Sequence, residues 1–130
     1  MYSLYLDTTT KEIRILLIKN DNIVSEKQFA SNDNSENQFI GQIDKLLKEN
    51  KLGIDDIDNL IVNVGPGGFT GTRISVAFAN ALKLARPELK LFGISNPESP
   101  KEIFDILKGR QVDILSATYY SGPSITRPNR

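Results

Sequence analysis

The sequence predicts an α/β domain with a mixed sheet: a three-strand antiparallel meander, then α-β-α-β and a terminal α-β. Three observations carry this. Short apolar runs rich in β-branched residues fill positions 3–29. Two later segments repeat apolar residues at helical spacing. Between a strand and the second of those helices lies a glycine-rich turn, Gly65 to Arg73.

Taken in order, Ser3–Leu6 reads as a strand ending at Asp7, and Asp7-Thr8-Thr9-Thr10-Lys11 as a polar turn. Ile13–Ile18, β-branched and apolar apart from Arg14, reads as a buried strand. Lys19-Asn20-Asp21-Asn22 turns the chain into a third strand, Ile23–Phe29. Ser35 with Gln38 fits a capping box. Phe39, Ile40, Ile43, Leu46 and Leu47 then form one stripe on a helix ending near Asn50, before Gly53. Asn59–Val64 is the fourth strand.

Arg73–Ala85 is the second helix, rich in Ser75, Ala77, Ala79, Ala81 and Ala85. Its apolar residues cover an arc of roughly 160°, wider than the ~100° of a one-sided helix. It is expected to touch the sheet on one side and another helix, its own or a partner's, on the other. Arg86-Pro87 ends it. Lys90–Ile94 is a fifth strand. Ser99-Pro100 starts a third helix carrying Ile103, Phe104, Ile106 and Leu107, stopped by Gly109. Val112–Tyr120 reads as a last strand. With no repeat and no linker, residues 1–120 are expected to form one lobe and 121–130 a tail. Three strands followed by α-β-α-β is the order of a ribonuclease H-like or actin-like lobe.

Composition narrows the chemistry. At 130 residues with 39% hydrophobic content, the chain supports one core. Lys plus Arg equals Asp plus Glu at 16 each, so it lacks the basic excess of a freestanding nucleic-acid binder. Any RNA it meets is expected to be held by a partner. There is no cysteine and no histidine. Disulfides, thiolate metal sites, the usual general base and Ser-His or Cys-His pairs are therefore excluded. Oxygen-ligated Mg²⁺ remains open. The start has no basic region ahead of an apolar run, and no stretch approaches the roughly 20 apolar residues of a membrane span. The cytoplasm is the expected compartment.

The turn has four glycines within Gly65–Gly71, so backbone amides could cradle an anion at the helix N-terminus. It lacks the Gly-Lys-Ser/Thr of a P-loop, and Thr70 stands where a dinucleotide loop needs its third glycine. A sharp turn with close helix–sheet packing is the favoured reading. The competing one is a nucleotide site using Asp7, Thr8, Gly67, Gly68 and Thr70, with Asp7 holding Mg²⁺. Asp7 alone is equally a side-chain-capped hairpin turn. Asp55, Asp56 and Asp58 read as a solvated acidic turn. Tyr119-Tyr120 and the Pro-containing tail fit either a docking segment or a terminal segment lying over its own domain.

Gly65-Pro66-Gly67-Gly68-Phe69-Thr70-Gly71-Thr72-Arg73-Ile74, with the following helix Ala77–Ala85, resembles the signature of the TsaB (YeaZ) family. The start, Tyr5–Thr10, is also similar, and the resemblance spans roughly residues 1–95. Gly68 stands where the family usually has Ser. The resemblance implies an actin/Hsp70-like lobe and a non-catalytic subunit in making tRNA threonylcarbamoyladenosine. It also implies pairing with a TsaD-type catalytic subunit through the two helices, with a TsaE-type ATPase as a further partner. The interface expected from it comprises Phe39, Ile43, Leu46, Ile74, Ala77, Phe78, Ala81, Leu84 and Ala85. The same faces could build a homodimer when the partner is absent. Catalytic paralogues bind metal through histidines on the first helix. This chain has Gln38 and Gln42 there, so no catalytic, metal or cofactor site is expected. Family members usually carry a second lobe, for which this chain is too short.

Overall fold

The computed structural model describes residues 1–31, 35–66 and 72–116, with residues 35 and 36 described by backbone alone. Five strands form one sheet: β1 (Tyr2–Asp7), β2 (Glu12–Lys19), β3 (Asn22–Ala30), β4 (Ile57–Asn63) and β5 (Lys90–Ile94). Their spatial order is β3-β2-β1-β4-β5. The meander is antiparallel, while β1–β4 and β4–β5 are parallel. Three helices cover the sheet: α1 (Ser35–Glu49), α2 (Thr72–Ala85) and α3 (Pro100–Ile106). This is the ribonuclease H-like, actin-like arrangement that the element order predicts.

Alternation along the strands divides the core between the two faces of the sheet. Leu4, Leu6, Ile15, Leu60 and Val62 point to α1 and α2, meeting Phe39, Ile43, Leu46, Val76 and Ala79. Tyr5, Leu16, Ile61 and Phe92 point to the opposite face, where Ile103 of α3 meets them. Strands with both faces covered need apolar residues at every position, which is why Ile15–Ile18 is unbroken. On the α3 side, Asn59 Nδ2 donates to Ser3 Oγ at 3.0 Å, so this buried cross-strand pair is satisfied.

The acidic turn before β4 is a short 3₁₀ segment, Ile54–Asp56, with Asp55, Asp56 and Asp58 all exposed. Asp56 accepts the Gly53 amide at 2.8 Å. The Arg86 guanidinium, just past α2, donates to the carbonyls of Ile54 and Ile57 at 2.9 Å each. Ser99 caps α3 by position, with Pro100 in the first turn, but its hydroxyl makes no capping bond.

One expected element is corrected. No strand forms over the described part of Val112–Tyr120: Val112 bridges Leu91 alone, N to O at 2.8 Å. The Asn80 carboxamide takes the next polar backbone groups. Its Oδ1 accepts from Leu115 N at 2.7 Å and its Nδ2 donates to Leu115 O at 3.0 Å. A helix side chain thus substitutes for the ladder that β5 would have supplied. Leu115 is buried and Ile114 turns outward. Residues 117–120 and the tail, 121–130, lie outside the described residues.

Candidate functional site

Two places merit comparison: the carboxyl ends of the parallel strands, and the outer surface of α1 and α2. In open α/β sheets ligands favour the crevice at such strand ends. Here Asp7 ends β1 and Asn63 ends β4. Asp7 Oδ1 accepts from Thr9 N at 2.9 Å and Thr9 Oγ1 at 2.6 Å. Its Oδ2 accepts from Asn63 Nδ2 at 3.2 Å and from the Tyr5 hydroxyl at 3.3 Å. Burial, and secondarily the Asp7 charge, push the Tyr5 hydroxyl well above its usual range. Asn63 Oδ1 accepts from Gly65 N at 3.0 Å and Asn96 N at 2.9 Å, and Asn96 Nδ2 donates to Pro66 O at 2.9 Å. Gly65 sits at φ 99°, in the left-handed region that favours glycine.

The carboxylate of Asp7 is thus held by four protein donors in a side-chain-capped turn. Thr8 is buried, and its Oγ1 lies 2.8 Å from Ser75 Oγ, tying the end of β1 to the first turn of α2. Among the described residues no group of three His, Cys, Asp or Glu could hold a metal ion. Gly67, Gly68 and Thr70 lie outside the described residues.

The helix layer differs. Phe39 and Phe78 meet edge to face, centroids 5.7 Å apart at 87°, so the neighbour that α2 packs on is α1 of the same chain. Beyond that contact the layer stays uncovered. A groove of about 380 Å³ is lined by Phe39, Ile40, Arg73, Ile74, Ala77, Phe78 and Ala81. A second, of about 470 Å³, is lined by Asn80, Ala81, Lys83, Leu84, Pro87, Asp113 and Ile114. Leu84 is 85% exposed, Ile114 71% and Ile40 53%. These large apolar side chains lie along one strip, and exposed apolar patches of this kind are typical of interaction surfaces.

Of the interface residues expected from the sequence, Ala77, Ala81, Leu84 and Ala85 are exposed, and Ile74 and Phe78 half-buried. Phe39, Ile43 and Leu46 are corrected: each is at most 3% exposed, because they form the stripe that seals this chain's own sheet. On α1 the exposed apolar residue is Ile40. The structure also brings in Asn63, Asn80 and Ile114, which sequence reasoning did not select. Asn63 carried a signal, a polar residue closing the apolar run Leu60-Ile61-Val62.

A family model described as TsaD, tRNA N6-adenosine threonylcarbamoyltransferase, matches residues 23–99, more than half of the chain. The chain belongs to this family. Within it the chain is TsaB/YeaZ-like. It is 29% identical over 97 residues to the MG208 homologue of Mycoplasma pneumoniae, covering 73% of this chain and 50% of that protein. It is 29% identical over 93 residues to the Haemophilus influenzae tRNA threonylcarbamoyladenosine biosynthesis protein TsaB, covering 72% and 39% respectively. The chain therefore spans half or less of the length of these relatives. The solved structure of YeaZ from Pseudomonas aeruginosa superposes with a TM-score of 0.65 at 22% identity, over 72% of this chain and 43% of that one, and shows the shared fold. Among the described residues no helix is long and apolar enough to cross a membrane.

Proposed function

We propose that this chain acts in tRNA threonylcarbamoyladenosine biosynthesis as a subunit with no catalytic group of its own. Its α1/α2 face docks a TsaD-type catalytic subunit. The observation that carries this is the uncovered apolar strip along α2, running from Ile40 and Ile74 to Leu84. The names of the curated TsaB relatives support the pathway. The zero net charge supports contact with tRNA through the complex. A TsaE-type ATPase is a further member in this reading. The lobe over residues 1–120 works in the cytoplasm in this reading.

Co-purification with a TsaD-type subunit tests it. Ala77→Glu and Ala81→Glu place charges on the strip at exposed positions, and they should break the pair. Normal assembly with both changes refutes the docking face. Reconstituted tRNA modification with and without the chain tests the pathway. A nucleotide-binding enzyme built on Asp7 is the competing reading. Calorimetry with ATP and Mg²⁺ should show no binding; tight binding lost in Asp7→Ala reverses the preference.

A further inference from the structure

We infer that the docking face continues past the two helices onto the C-terminal strap, residues 112–115. It takes a partner helix whose apolar stripe has a carboxylate near one end and a lysine or arginine near the other. This rests on the α1/α2 reading above. Ala81 lines both grooves, so the two form one strip along α2. Ile114 extends that strip from a fixed position. On one side Val112 bridges Leu91, and on the other Asn80 grips both backbone groups of Leu115. Leu115 itself is buried, close to Gly93. An exposed isoleucine on backbone pinned at both sides belongs to a preformed surface.

From Ile74 to Leu84 the strip is about 15 Å long, close to three helical turns. Ala77 and Ala81, one turn apart, let a second helix come near the short end of the usual 8–10 Å interaxial range. Charge at the two ends defines what that helix must carry. Arg73, at the first groove, has no ion pair or hydrogen bond among the described residues, and neither does Asp113 at the second. Lys83 is already used, donating to the carbonyls of Pro87 and Leu89 at 2.7 Å each. A partner that covers the strip dehydrates one cation and one anion, and each needs its opposite.

The test titrates a TsaD-type subunit against wild type, Ala81→Glu, Ile114→Glu, Arg73→Glu and Asp113→Lys, with thermal melts confirming that each variant folds. Ile114→Glu should weaken binding about tenfold, the cost of setting a charge in an apolar contact. Each charge reversal should weaken it about fivefold at low salt, and less at high salt. If Ala81→Glu abolishes binding while Ile114→Glu and both reversals leave it unchanged, the extension is wrong and the two-helix reading survives. If Ala81→Glu has no effect, both fall. Sedimentation of the chain alone covers the other occupant. A stable dimer split by Arg73→Glu and restored by reversing both charges assigns the strip to a second copy, and overturns the inference.

Discussion

Asn63 is the residue whose replacement says most about the strand ends. It is 2% exposed and serves three loops at once: the turn after β1, the segment after β4 and the loop after β5. Asn63→Ala strands the buried Gly65 amide, at about 1–3 kcal/mol. It also removes a donor from the Asp7 carboxylate, which keeps both Thr9 donors. The Asn96 amide lies beside an exposed side chain, where water can replace the lost acceptor, so its share is small. The expected loss is about 3 kcal/mol in all. It is read as a shift in the urea midpoint at unchanged slope, followed by circular dichroism.

Asn63→Asp sharpens the test. The acceptor oxygen stays, but the donor 3.2 Å from Asp7 Oδ2 becomes a second oxygen. Two carboxylates at that distance cannot both ionise, so the introduced carboxyl has its folded pKa raised. The folded state then holds a proton that the unfolded chain releases above about pH 4. Stability must therefore fall as pH rises from there toward the raised value, by up to about 1.4 kcal/mol per pH unit. Wild type should lack this slope. A loss below about 1 kcal/mol for the alanine variant, or a flat profile for the aspartate variant, refutes the idea that Asn63 clasps these loops.

Three further outcomes follow from the same contacts. Phe39→Ala should cost about 3–5 kcal/mol in urea unfolding, and Leu84→Ala, on the open strip, less than about 0.5; equal costs refute the division between core and docking face. Gly93→Ala places a methyl group 2.9 Å from Leu115 Cδ2 and 3.4 Å from Val64 Cγ1. Because Leu115 presents the end of a flexible side chain, the expected cost is about 1 kcal/mol with faster amide exchange at Leu115, and unchanged exchange there refutes the strap. The raised hydroxyl pKa of Tyr5 means that the folded state keeps a proton that the unfolded chain loses above about pH 10. Stability should fall with rising pH there, and Tyr5→Phe should flatten that fall in alkaline urea titrations.

The sheet was legible because its strands obey simple rules. Ile15–Ile18 is apolar throughout since both faces are covered, and Pro100 and Gly109 bracket α3. The last strand misled for an equally physical reason. Val112-Asp113-Ile114-Leu115 has strand character, but a carboxamide from α2 captured the backbone that pairing required. Interface reading failed in the same way on α1. Spacing shows which residues share a stripe, and it is silent on whether the stripe faces this chain's sheet or a partner. Phe39, Ile43 and Leu46 went to the sheet, leaving Ile40 outside.

The strand ends and the helix layer are connected, and that connection bears on where function sits. A crevice at the carboxyl ends of β1, β4 and β5 is where this architecture would hold a ligand. Binding there needs polar groups free to turn toward it. Asp7, Thr9, Asn63 and Asn96 instead bond to one another and to the Gly65 and Pro66 backbone. Through Thr8 and Ser75 the end of β1 also fixes the first turn of α2. The hydrogen bonds at the strand ends therefore have a structural product, the position of a helix. That helix, in turn, is where apolar surface is left open. Of the six large exposed hydrophobics described, Ile40, Leu84 and Ile114 line the two grooves along it. If the strand ends were the working site, the Asn63→Ala variant would lose ligand binding before it lost partner binding. If they set the helix, partner affinity and thermal stability should fall together, and the exposed Leu84→Glu variant should lose partner affinity at unchanged stability.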